Sequence, residues 1–503
     1  MIEVRPRLVH LAHLARLGRI LLGAAVLGAS MPAMSADAPE ALARSRASMP
    51  TRSVSLNGQT VNLTLNDAVF LGLRNNRSIH SAYIQRTAQK FDLRVAEDIF
   101  TPKLALNGSY IAERNQDGGY RGANAAPEVS MLGPYGTRLR LAWNSQLTQD
   151  NRSGRFRHDG ASLTIIQPLL RGAGRDVTEA PVRLARLTEQ ANRLSLKSAV
   201  SDTVTQIISA YRDLVRAQEQ VRIARDALQR SNQLLEANKA MIDAGRMARV
   251  EIVQTEADIA NQELAVEEAN NQLDSSRLAL LQLFALDLRT QVRAIDTPDA
   301  SHIEVGLAQA LTTAREHQPA YLAQLIAVEQ AGINLTTARN SRLWDVSLIA
   351  GANQNRERYA GIGNRNWENY AGVQISIPIG DLSQRQAEVH ARADIESQNV
   401  RLAEIAQTME RDVDDAVRNL NTRWRQYDIA RRACDLSRRK LEIEREKLQA
   451  GRSSNFQVLS FEADLRSAEN ARLNTLIAYL NTQTTLDRTL GTTLESWEIE
   501  LND

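Results

Sequence analysis

Apolar residues recur every seven positions through the middle of the chain. One run is Val200, Ile207, Leu214, Val221, Leu228, Leu235 and Ile242, with Ala210, Ala217 and Ala224 three positions after several of these. After Asp243-Ala244-Gly245-Arg246 a second run begins: Ile252, Ile259, Val266, Leu273 and Leu280. A strict seven-residue repeat keeps one stripe facing a partner helix, so it specifies supercoiled packing. Gly245 is placed to end the first helix in a left-handed conformation and let the chain reverse. The pattern predicts a long antiparallel helical hairpin.

The hairpin occurs twice. Shifted by the 206 positions between Gly245 and Gly451, the first run continues as Val413, Leu420, Tyr427, Cys434, Leu441 and Leu448. The turn recurs as Ala450-Gly451-Arg452, and Glu256-Ala257-Asp258 recurs as Glu462-Ala463-Asp464. The second stripe returns at Val458, Leu465, Tyr479 and Leu486, broken at Arg472. Shared register, turn and acidic triplet mark a duplicated unit.

Elsewhere the period changes to two. Helices are expected over about 66–100 and 307–342, and Pro102 ends the first. Strand runs follow near 104–112, 137–147 and 160–167, and in the second repeat near 346–350 and 373–377. In the clearest run Leu139, Leu141 and Trp143 alternate with Arg138 and Arg140. Such alternation specifies a strand with two unlike faces. Gly- and Asn-rich stretches at 114–136 and 353–369 read as loops. Pro168 and Pro378 close the strand regions, and long helices follow over about 176–242 and 382–448. At 1.5 Å rise per residue, such helices reach about 100 Å.

The N-terminus changes the compartment. Arg5, Arg7, Arg16 and Arg19 precede an apolar run at 20–27, and small residues place cleavage near Ala36. An exported chain whose strands have one apolar and one polar face fits an outer-membrane barrel. Trp143, Tyr110, Trp367 and Tyr370 are expected at the membrane interfaces. An ordinary soluble sheet is the bland alternative. One copy has too few strands to enclose water, so a homo-oligomer must pool them. Helices before and after the strands must lie on one side of the membrane, which requires an even number of crossings per repeat. The first repeat shows three runs, so two crossings and one external strand are expected there.

Composition adds exclusions. A net charge of +2 with 24% charged residues gives no case for nucleic acid. The seven histidines are scattered, and Gly172-Ala173-Gly174 lacks a phosphate-loop context, so neither an enzyme nor a cofactor or metal site is expected. Cys434 is the one cysteine; it falls on a heptad stripe and reads as a small buried apolar side chain. The expected layout is a signal peptide at 1–36 and an N-terminal periplasmic extension at 37–64. A first repeat follows at 65–290, with strands at about 103–168 and a hairpin at 176–286. A second occupies 303–491, with strands at about 344–378 and a hairpin at 382–490, and a tail takes 492–503.

With the duplicated unit, the run Gln167-Pro168-Leu169-Leu170-Arg171-Gly172 and the Ala-Gly-Arg turns, the chain resembles the outer-membrane efflux factor family, the TolC-like channels, from about residue 65 to 491. The resemblance implies a mainly α fold with transmembrane β. In it a homotrimer joins an α-helical barrel to a shared twelve-stranded outer-membrane β-barrel, four strands from each copy. It further implies a passive conduit of a tripartite efflux or type I secretion system. Its partners are a periplasmic adaptor (membrane fusion protein), an inner-membrane pump and outer-membrane lipid. The turns Ala244, Gly245, Arg246 and Ala450, Gly451, Arg452 then form the periplasmic tip that docks the adaptor. Pro102, Pro168 and Pro378 mark the helix–strand junctions. The family's narrowing aspartates fall here on Gln457 and Ser460, neither acidic. Its closing carboxylate falls on Glu251, whose arginine partner position is Ser453, with Arg246 and Arg452 adjacent. A periplasmic adaptor or a coiled-coil structural protein without a pore is the alternative function.

Overall fold

The computed structural model describes residues 60–116, 118–150, 154–359 and 362–501. The expected signal peptide, its cleavage near Ala36 and most of the 37–64 extension lie outside the described residues. The end of that extension is strand: β1 (Val61–Leu63) pairs in parallel with β6 (Val292–Ala294). Helices α1 (Leu65–Asn75) and α2 (Arg77–Glu97) lead into β2 (Lys103–Asn115), β3 (Gly118–Leu132), β4 (Arg138–Asp150) and β5 (Gly154–Pro168). One helical turn, α3 (Arg175–Thr178), precedes α4 (Ala180–Asp243), and α5 (Glu251–Leu283) returns beside it. The second repeat holds α6 (Leu307–His317), α7 (Pro319–Ser341), β7 (Asp345–Tyr359), β8 (Ile362–Ser376), α8 (Ser383–Gln449) and α9 (Asn455–Leu490). Helix α10 (Thr493–Ser496) follows.

The long helices have 64 and 67 residues. Each carries a shorter helix beyond the turn and a broken pair on its other half: α5 with α1 and α2 on α4, α9 with α6 and α7 on α8. The continuous helices expected over 66–100 and 307–342 are therefore interrupted. Asn76 is extended (φ −62°, ψ 129°), and its Oδ1 accepts the N–H groups of Ser78 and Ile79, which starts a new helix. Gln318 is extended ahead of Pro319, whose ring disfavours helix at the preceding residue.

The heptad stripes are where the core lies. Val200, Ile207, Leu214 and Val221 are buried, as are Val413, Leu420, Tyr427, Cys434, Leu441 and Leu448; Leu228, Leu235 and Ile242 are half-buried, as are Ile252, Ile259, Val266 and Leu273 on α5. Burial pushes the Cys434 thiol pKa up, as for an inert core side chain. The expected tail is docked as far as it is described: Leu494 is buried with Ile207, Tyr211 and Phe284, and Trp497, Ile499 and Leu501 pack against that cluster. A buried ion pair ties α2 to α4. Arg86 Nη1 donates to Glu189 Oε2 at 2.9 Å, and both side chains are less than a tenth exposed.

All six longer strands form one antiparallel sheet in the order β2-β3-β4-β5-β7-β8. This corrects two expectations. The stretch 114–136 is not a loop but contains β3, so the even crossing number is met by an added strand rather than an excluded one. The chain also brings six strands to the sheet, where the resemblance implied four. The 353–369 stretch is strand as well, up to the turn between Tyr359 and Ile362. One row of partners runs Leu104, Val129, Leu141, Leu163, Ala352, Asn369. Leu104 lies one residue from the base of β2 (Lys103), and Asn369 seven from the base of β8 (Ser376), a slip of six residues over five pairings. At a rise of about 3.3 Å and a spacing of about 4.8 Å, this slip tilts the strands by about 40°, the value of a closed barrel.

The Gln167–Gly172 run is the joint between sheet and helices. Leu169 N–H donates to Val346 O (2.8 Å), Arg171 N–H to Trp344 O (3.2 Å), and the Arg171 side chain pairs with Asp345 at 2.9 Å. Gly172 N–H donates to Asn340 Oδ1 at 2.7 Å. Gly136, in the β3–β4 turn, has φ +89° and lies so close to the Gly172 carbonyl that a Cβ there would collide with it.

Candidate functional site

The register assigns every strand residue to one of two faces. Leu104, Leu106 and Tyr110 share a face with Val129 and Met131, then with Leu139, Leu141 and Trp143. The same face continues through Leu163 and Ile165 to Val346, Leu348, Val373 and Ile375. Leu106 is 77% and Trp367 75% exposed, although ordinary folding would bury such groups. The opposite face carries Asn107, Ser109, Glu128, Arg140, Asn144, Thr164, Asn353 and Gln374. Of the expected interface aromatics, Trp143, Tyr110 and Trp367 lie on the apolar face. Tyr370 does not: it lies on the polar face, with its hydroxyl 3.4 Å from Thr164 Oγ1. Apolar outside and polar inside is the arrangement of a lipid-facing barrel with a water-filled lumen.

The three prolines fall where the period changes. Pro102 separates a short turn (Asp98–Phe100) from β2, Pro168 ends β5, and Pro378 lies between β8 and α8.

At the other end of the long helices, the two turns are built alike. Gly245 (φ +68°) and Gly451 (φ +73°) take the left-handed conformation. Arg246 N–H donates to Met241 O, and Arg452 N–H to Lys447 O, six residues closing each helix end. Ala244, Gly245, Arg246, Ala450, Gly451 and Arg452 are all exposed. Arg246 Nη2 reaches Gln449 O at 2.9 Å and so joins the two turns. Val250, Val253 and Phe456 leave an apolar surface beside them, each more than 60% exposed.

The gate candidates are close by but differently bonded. Glu251 makes no ion pair among the described residues, and its Oε2 is buried without a hydrogen-bond partner. Ser453 donates to Glu444 Oε1 at 2.5 Å, and this bond, with Lys447, lowers the Glu444 pKa. Gln457 and Ser460 are half-buried on the first turns of α9.

Sequence reasoning missed the links between the hairpins. Asn238, Thr255 and Asn455 are at most 1% exposed. Asn238 Nδ2 lies 2.9 Å from Thr255 Oγ1 and 2.7 Å from Asn455 Oδ1. Asn455 Nδ2 lies 3.1 Å from Thr255 Oγ1. Below this knot, Arg230 of the first hairpin pairs at 2.9 Å with Glu462 of the second, which Arg445 also contacts. A signal was present: the stripe Ala210, Ala217, Ala224 continues as Ser231 and Asn238. A polar residue at a core heptad position fixes register and partner choice.

A two-faced, tilted sheet continuous with paired helical hairpins defines the class of outer-membrane barrels prolonged by a helical tube. The chain belongs to the outer membrane efflux protein family, which it matches over residues 71–285 and 310–492. It is 23% identical over 321 residues to the outer membrane efflux protein BepC of Brucella suis biovar 1 (strain 1330), covering 63% of this chain and 60% of that protein. It is 24% identical over 205 residues to the cobalt-zinc-cadmium resistance protein CzcC of Cupriavidus metallidurans (strain ATCC 43123 / DSM 2839 / NBRC 102507 / CH34), covering 41% and 47%. The chain thus spans less than two thirds of the length of these curated relatives. Its fold is similar to CusC, whose crystal structures concern transmembrane channel formation: TM-score 0.65, 16% identity, 87% of this chain and 95% of that one.

Proposed function

We propose that three copies of this chain close into one passive conduit across the outer membrane and the periplasm, serving a tripartite efflux or type I secretion system. Each copy gives six strands, so the membrane wall has eighteen. The hairpins pool into the periplasmic tube. The observation that carries this reading is the sheet: apolar on one face, polar on the other, with its base feeding helices about 100 Å long. A periplasmic adaptor or a poreless scaffold has no use for a lipid-facing strip.

The tip turns (Ala244, Gly245, Arg246, Ala450, Gly451, Arg452) dock the adaptor, which links the conduit to an inner-membrane pump. Glu251, Gln457 and Ser460 surround the narrowest ring, which lacks the paired carboxylates of an acidic filter. Cargo is chosen by the pump, so the duct itself performs no chemistry. The test is conductance of the purified mature chain in a planar lipid bilayer. Uniform, small, long-lived steps are expected. An outer-membrane-extracted oligomer that gives no steps, even with a disrupted tip, overturns the proposal.

A further inference from the structure

The apolar face of the sheet ends in arginine. On β2, Arg114 lies ten residues beyond Leu104; on β7, Arg356 lies ten beyond Val346. The antiparallel neighbours repeat the interval: Met131 and Arg121 on β3, Ile165 and Arg155 on β5, Ile375 and Arg365 on β8. Arg157 and Arg358 are paired to each other on the same face. All seven are exposed, and the one acid among them in the described residues, Asp159, is paired with Arg157 at 2.8 Å. The opposite face at this level carries Glu113, Glu357 and Glu368 instead. Charge is therefore segregated by face.

Ten residues at about 3.3 Å, tilted by about 40°, rise about 25 Å, the height of a barrel's apolar band. The arginines thus stand where the hydrocarbon ends at the outer leaflet. Their guanidinium forks suit phosphate oxygens bidentately. We propose that these seven arginines form a belt that binds the phosphate groups of the outer leaflet's glycolipid. This rests on the conduit reading, in which the apolar face meets lipid.

The test uses full-length oligomer in nanodiscs of phosphatidylcholine. Diphosphorylated lipid A, its dephosphorylated form and inorganic phosphate are added separately, and thermal stabilisation and native mass spectra are read. A variant combining Arg356→Gln, Arg358→Gln and Arg365→Gln is compared with Arg138→Gln/Arg140→Gln on the polar face. The expected result is stabilisation by diphosphorylated lipid A alone, weakened about tenfold in apparent affinity by the triple variant and not by the control pair. Equal stabilisation by the dephosphorylated lipid, by inorganic phosphate at millimolar concentration, or in the triple variant overturns the belt. Single-channel steps recorded on the same variants separate the outcomes: if steps persist while lipid selectivity is absent, only the belt falls. If no variant inserts, the conduit reading falls with it.

Discussion

Asn455→Ala removes the centre of the knot that ties the two hairpins together at the tip. The side chains of Asn238 and Thr255 stay where they are, both 0% exposed. Asn238 Nδ2 loses its 2.7 Å acceptor, and Thr255 Oγ1 its 3.1 Å neighbour. Asn238 keeps its 2.9 Å bond to Thr255, but its second amide N–H is left buried without an acceptor, and such an unsatisfied group costs about 1–3 kcal/mol. If the knot exists only in the closed tip, that cost shifts the closed–open balance by about 5- to 150-fold, at 1.4 kcal/mol per decade. The assay is the open fraction in a planar bilayer, with Lys239→Ala as an exposed control on α4 beside the knot. A rise of that size in Asn455→Ala, with little change in the control, is expected. An unchanged open fraction in a correctly assembled oligomer would refute the reasoning, because the knot would then persist through opening.

Other substitutions separate the remaining arguments. Gly136→Ala and Gly154→Ala share a left-handed backbone and cost about 1 kcal/mol in strain. Only the first also drives a Cβ into the Gly172 carbonyl, so it should abolish the heat-resistant oligomer on gels while Gly154→Ala keeps it. Arg86→Met leaves the buried Glu189 carboxylate with the largely exposed Arg193, at 3.3 Å, as its remaining cation among the described residues and should destabilise the helical body by about 2 kcal/mol, read by melting at neutral pH. The Arg86 hydrogen bond holds Glu189 below its ordinary pKa of 4.5, so its contribution is present above that pH and lost as pH falls through the lower folded value. The melting temperature of Arg86→Met should accordingly depend less on pH below about 4.5. Gln457→Asp combined with Ser460→Asp should make the pore easier to block with multivalent cations; unchanged block would remove these positions from the constriction.

How much of this was legible depends on what each residue had to face. The heptad stripes were readable because one partner surface runs the length of the helix, and α4 and α8 end within a residue of the expected 242 and 448. Strand β3 was missed because its residues on the apolar face are Pro127, Ala125 and Ala123, too small to stand out against their neighbours. Only Val129-Ser130-Met131 still alternates. The upper halves of β7 and β8 were missed for a related reason: beyond Ala350 the apolar face itself carries Ala352, Gln354 and Asn369, so period two fades although the hydrogen-bond ladder continues to Tyr359. The helix breaks were written in Asn75-Asn76 and Gln318-Pro319, but a stripe that continues past a cap hides it. The knot at the tip needed both repeats in contact, since Asn238 and Asn455 are 217 positions apart.

The six-strand sheet bears on the girth of the whole duct. Beside the sheet's base each copy presents four helices abreast: α4 with α2, and α8 with α7. In the proposed trimer, twelve helices spaced about 9–10 Å apart enclose a perimeter of about 115 Å. Eighteen strands tilted by about 40° each occupy about 6.3 Å of circumference and enclose about 113 Å, whereas twelve strands would enclose only about 75 Å. The wall therefore passes from helix to strand at Pro102, Pro168 and Pro378 without tapering. In the proposed conduit, constant girth leaves no second sieve at the membrane, and the tip alone sets the largest object that can leave.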